Sequence, residues 1–69
     1  MPSLDFTVSG MTCQHCVASV TEEVGELAGV TAVDVDLASG RLQVTGQDVT
    51  AEQVQAAVAE AGDYSAQPA

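Results

Sequence analysis

Sixty-nine residues are enough for one domain, and a domain of that size buries only about 60% of its unfolded surface, which argues against an enclosed pocket for a large substrate. The apolar residues, 46% of the chain, include a single Phe and a single Tyr, a composition suited to thin packed layers. Ten Asp and Glu face one basic residue, Arg41, for a formal charge of −9; such a surface repels phosphate and excludes nucleic acid and anionic membrane as favoured partners. The acidity has two equal readings, solubility and steering toward a basic partner.

In chain order, Met1-Pro2-Ser3-Leu4-Asp5-Phe6 has neither a positive leader nor an apolar run of signal or membrane-span length, which predicts a cytoplasmic protein. In that compartment thiols stay reduced, so a lone cysteine pair reads as a metal or redox site rather than a structural staple. Leu4, Phe6 and Val8 alternate with Asp5 and Thr7, predicting a strand over residues 3–8 with one buried face. Ser9-Gly10-Met11-Thr12 breaks the pattern. From Gln14 onward Val17, Val20, Val24 and Leu27 recur at steps of three and four, predicting a helix over about 14–26.

Gly25 and Gly29 mark its stop, and Val30, Val33, Val35 and Leu37 restore the strand habit with Asp34 and Asp36 outward. Ala38-Ser39-Gly40 is a turn, after which Leu42 and Val44 alternate with Arg41, Gln43 and Thr45, predicting a hairpin. Thr50 and Gln53 have the spacing of a capping box, and Val54, Ala57, Val58 and Ala61 share one helical face up to Gly62, predicting a helix over 51–61. Tyr64 to Gln67 reads as a short edge strand ended by Pro68.

Strand, helix, strand, strand, helix, strand is the order of an α+β ferredoxin-like βαββαβ sandwich, two helices on a four-stranded antiparallel sheet. It is expected to form one domain over residues 1–69.

The chemistry concentrates in Gly10-Met11-Thr12-Cys13-Gln14-His15-Cys16, which holds both cysteines and the only histidine. Cys13 falls on the loop leaving the first strand and Cys16 in the first turn of the helix. There the unpaired N–H groups and the positive end of the helix dipole favour an anion, which should lower the thiol pKa values. A structural zinc site takes four ligands, and the sequence has no second Cys/His cluster. Soft, closed-shell Cu(I) is served by two thiolates, so copper(I) leads among the metals, with Zn(II), Cd(II), Hg(II) and Ag(I) as chemical substitutes.

Cys13 and Cys16 are therefore the expected metal ligands. His15 is expected to face solvent, and Met11 to pack beneath the loop rather than bind metal. Gly10 and Thr12 are expected to shape the loop. Glu22, Glu23 and Glu26 read first as a solvated helix face. Tyr64 has two equal readings: a hydroxyl beside the metal site, or an aromatic closing the core.

The same stretch fits the pattern G-M-[ST]-C-x-H-C, and with the element order the whole chain resembles the heavy-metal-associated domain family, most of all its small bacterial CopZ-type copper chaperones. That resemblance implies Cys13 and Cys16 as Cu(I) ligands, Met11 as a buried loop anchor and His15 as a non-ligand. It implies no enzymatic activity, but delivery of copper by thiol exchange to the metal-binding domain of a copper-transporting P-type ATPase, with a copper-responsive repressor as another recipient. The metal-free chain is expected to be a monomer, and an open two-coordinate site also permits a copper-bridged dimer.

One departure stands out. The family places Tyr directly after Gly in the last loop, whereas Asp63 separates Gly62 from Tyr64 here. Rival readings are a thioredoxin-like oxidoreductase, a detached metal-binding domain of a heavy-metal ATPase, and a carrier for mercury or zinc.

Overall fold

The computed structural model describes residues 3–69, so Met1 and Pro2, which open the N-terminal stretch read above, lie outside it. Its elements are β1 (Ser3–Ser9), α1 (Gln14–Gly25), β2 (Val30–Asp36), β3 (Arg41–Gly46), α2 (Ala51–Ala61) and β4 (Ser65–Pro68). The strands form one antiparallel sheet in the order β2-β3-β1-β4. This is the ferredoxin-like arrangement, with both helices on one face.

Alternation along each strand decides which face is which. Phe6 and Val8 of β1, Leu42 and Val44 of β3 and Ala66 of β4 point inward and meet Val20 and Val24 of α1 and Val54, Ala57 and Val58 of α2. Seven of these side chains, Phe6, Leu42 and five valines, are below 2% exposed, and each contributes roughly 1.5–3 kcal/mol by leaving water. The opposite face is polar: Asp5 pairs with Gln43, and Gln43 with Asp34, while Thr7, Arg41 and Asp36 form the next row. Arg41 reaches Asp5 across that face, Nη2 to Oδ2 at 3.4 Å.

Two details depart from simple alternation. Val30 pairs with Gly46 and Ala32 with Thr45, so Thr31 is the extra residue of a bulge. The bulge resets the phase of β2 and lets Val30 and Val33, three apart, both turn toward the core. At the other edge, Pro68 is itself the last residue of β4, opposite Phe6, and the strand begins at Ser65 rather than Tyr64. A proline without N–H is tolerated there because β4 is an edge strand, and the Ala69 N–H resumes pairing with the Asp5 carbonyl at 2.9 Å.

The helix caps differ. Thr50 accepts from the Gln53 N–H at 3.2 Å while its own N–H donates to Gln53 Oε1 at 3.0 Å, closing the capping box on α2. Helix α1 starts at Cys13 with no side-chain cap and no acidic residue in its first turn. Three connections gather at that end of the sheet. The β1–α1 loop begins at Gly10, the β2–β3 turn sends the Gly40 carbonyl to the Val8 N–H at 2.7 Å, and the α2–β4 loop brings Asp63 and Tyr64 against Gly10.

Candidate metal centre

Cys13 has extended backbone angles, and its carbonyl accepts from the Cys16 and Val17 N–H groups at 3.1 and 3.3 Å, which starts the helix. This places Cys16 one turn into α1 and swings both side chains to the same side. Their sulfurs lie 3.4 Å apart, in contact but well outside the ~2.05 Å of a disulfide, and both are free thiols. Cys13 is exposed and Cys16 half-buried. Among the described residues no third Cys, His, Asp or Glu joins them to form a three-ligand cluster.

The Cys16 thiol is lowered from the ordinary 9.0 to about 6. The leading cause is the Thr12 backbone N–H, which points at the sulfur; the Tyr64 hydroxyl follows, then the Cys13 thiol, against a small opposing cost of burial. Each donor favours the charged form. At neutral pH Cys16 is therefore mostly thiolate, the species that binds soft metal ions. The helix start was the expected cause of the shift; the leading cause is the Thr12 backbone in the loop before it. Thr12 also brings its hydroxyl to 3.9 Å from Cys16 Sγ. This backbone role could not be read from residue identity, because it depends on the loop's conformation rather than on the threonine side chain.

Both readings of Tyr64 hold together. The ring is half-buried and packs on the core, while the hydroxyl faces Cys16 and has its own pKa raised, chiefly by its interaction with that thiol. The additional Asp63 is absorbed by a tight turn, in which the Tyr64 N–H returns to the Gly62 carbonyl at 2.8 Å. Two glycines make room for the ring. A β-carbon on Gly10 would come within 3.2 Å of Tyr64 Cδ1, and one on Gly62 within 2.9 Å of Cε2, on the opposite edge. Gly10 also has φ +101° and Gly62 φ +155°, values that favour glycine.

His15 is exposed, and its carbonyl accepts from Ser19 Oγ at 3.2 Å. Met11 is half-buried and packs against the core beneath the loop, as expected. Glu22 and Glu26 are exposed on α1 and Glu23 is half-buried. The structure thus brings Cys13, Cys16, Thr12 and Tyr64 together and leaves His15 at the rim.

Comparison with known proteins agrees with this geometry. Residues 5–63 match the family model of the heavy-metal-associated domain, HMA. A COP-associated protein of Helicobacter felis is 43% identical over 60 residues, 86% of this chain and 91% of that protein. The copper chaperone CopZ of Bacillus subtilis is 49% identical over 45 residues, 65% of each chain. Among solved structures, a copper-binding domain from the P-type ATPase HMA7 superposes with a TM-score of 0.93 at 28% identity, covering all of this chain and 95% of the other. By sequence motif, fold and kinship, the chain belongs to the heavy-metal-associated domain family.

Proposed function

We propose that this chain is a copper(I) chaperone of the cytoplasm, its 69 residues acting as one unit without catalytic turnover, with Cys13 and Cys16 as the two ligands of the transported ion. The observation that carries the reading is the pair of free thiols in contact at 3.4 Å, at an uncapped helix start and with one sulfur already poised as thiolate. Soft thiolates favour a soft ion. The small donor set keeps the ion open to attack, so a cysteine of a recipient can add to the metal, share it between the two proteins, and draw it away as Cys13 and Cys16 let go in turn. The recipient fitting this exchange is a matching cysteine pair in a copper-transporting P-type ATPase. Kinship with a CopZ protein and with a P-type ATPase domain supports both halves of the reading.

Anaerobic titration of the reduced protein against a competing cuprous chelator tests it. One copper(I) per chain is expected, with binding lost in Cys13→Ser and in Cys16→Ser. Full affinity in either variant would refute the two-thiolate site.

A second reading, a metal-binding domain belonging to a larger pump, draws on the likeness to the HMA7 domain. The match to 91% of the Helicobacter felis protein favours the free-standing carrier. The length of the open reading frame decides between them.

A further inference from the structure

The helix layer carries a groove that the metal site does not use. Its floor is apolar, made by Leu27 just after α1 and by Ala56 and Ala57 of α2, and its rim is Glu23 and Glu26 on one side and Glu60 on the other. The two alanines leave a depression where larger side chains would have closed the seam between the helices. Neither helix contains a Lys or Arg, and the one histidine, His15, sits in the first turn of α1 at the thiol end. The one ion pair among the described residues, Arg41 with Asp5, lies on the far face of the sheet. Among the described residues no Lys or Arg pairs with the rim carboxylates.

We infer that this groove docks a basic amphipathic segment of a partner protein, seating an aliphatic side chain on Leu27, Ala56 and Ala57 while flanking Lys or Arg residues meet Glu23, Glu26 and Glu60. Charge complementarity selects this occupant. A second copy of the chain would bring another −9 and no spare cation, and anionic lipid or nucleic acid would be repelled by the same rim. Arg and Lys also cover apolar floor with their own methylene stems while keeping the charge at the edge.

The location gives the docking surface its use. The groove runs from Leu27, just past the end of α1 away from Cys16, to Glu60 in the last turn of α2, and none of its lining residues belongs to the Gly10–Cys16 stretch, so a partner seated in it leaves both thiols open. Such a segment holds its owner beside the metal site before any sulfur is exchanged.

The inference goes beyond the copper reading and is tested without copper, so its failure would leave that reading standing. The reduced, metal-free protein, labelled with ¹⁵N, is titrated with a synthetic helical peptide bearing Leu on one face and Lys at its flanks. Amide shifts are expected at Glu23, Leu27, Ala56, Ala57 and Glu60 and not at Gly10 to Cys16. The double variant Glu26→Gln with Glu60→Gln, both exposed positions, should weaken binding about tenfold. Asp34→Asn with Asp48→Asn removes the same charge elsewhere and should leave it within about twofold. A peptide with Ser in place of Leu should lose most of its affinity. The proposal fails if the Leu and Lys peptide does not bind, if both double variants weaken it equally, if the Ser peptide binds as well, or if the shifts spread over both faces.

Discussion

The ring of Tyr64 lies against Gly10, so close that a β-carbon on the glycine would stand 3.2 Å from Cδ1 and 2.7 Å from the Asp63 carbonyl oxygen. Two loops far apart in sequence are thereby fitted to one another, and the fit holds the tyrosine hydroxyl at the Cys16 sulfur. Gly10→Ala adds both the overlap and an L side chain at φ +101°. It is expected to cost about 1–3 kcal/mol of stability, read by urea denaturation. Displacing Tyr64 should also raise the Cys16 pKa from about 6.

Tyr64→Phe keeps the ring and removes the donor. The Cys16 pKa should rise, because a bond favouring the thiolate is lost while the Thr12 N–H remains. A pH titration of thiolate absorbance in the Cys13→Ser background reads Cys16 alone. That background also lacks the Cys13 thiol as a donor, so the comparison is between Cys13→Ser alone and Cys13→Ser combined with Tyr64→Phe. Equal values in the two would dismiss the tyrosine bond.

The lowered Cys16 pKa has a signed consequence for stability. A group depressed on folding from 9.0 to about 6 stabilises the fold fully above the unfolded value and loses that contribution as pH falls toward the folded one. The stability difference between wild type and Cys16→Ser should therefore grow in favour of wild type from about pH 6 to about pH 9. Subtracting the variant removes the effect of the remaining carboxylates, which is common to both proteins. Copper(I) affinity should fall as pH drops below about 6, since protons then compete for the sulfur.

Thr50→Ala opens the capping box of α2 and leaves the Gln53 N–H without its acceptor. A loss of about 1 kcal/mol is expected in chemical denaturation. The thiols lie at the opposite end of the helix layer, so copper(I) stoichiometry should not change.

Leu42→Ala removes a side chain that is 0% exposed at the centre of the sheet, at an expected cost of about 2–5 kcal/mol. In so small a domain that is a large share of the total, and circular dichroism melts should show a partly unfolded population near room temperature. Arg41→Gln is the contrasting case. Its ion pair with Asp5 is exposed, 60% and 39% at the two side chains, so a change within about 1 kcal/mol is expected.

The residues that spoke most plainly in the sequence were those whose role is local. Thr50 and Gln53 announce a cap because each satisfies the other's backbone within one turn. Leu42 and Val44 announce a strand because alternation needs no knowledge of the partner. Cys13 and Cys16 announce convergent sulfurs because the step from loop to helix start places them. What stayed hidden depended on contacts between distant segments. The Thr12 N–H aims at Cys16 only through the path of the loop. Asp63 hides in a turn that sequence alone could resolve either way. That Pro68 would itself pair as the last strand residue depended on β4 being an outer edge, where its lack of a donor is harmless, and Thr31 gave no sign of bulging. Leu27, Ala56 and Ala57 became a groove only when two helices were laid side by side.

The unequal treatment of the two helix starts divides the molecule into a firm pole and a loose one. Helix α2 begins locked by reciprocal side-chain bonds, whereas α1 begins with its first-turn amides unanswered by any side chain. Local opening in small domains starts where the backbone is least tied down, which here is the end that holds the sulfurs. Amide exchange in the metal-free protein should be fastest at Gln14 and His15 and slow through the α2 core, and anionic sulfurs bearing a bound ion would quiet the first turn of α1. The carrier would then be most pliable when empty and stiffest when loaded, so an acceptor could sense the difference in motion before it touched the cargo.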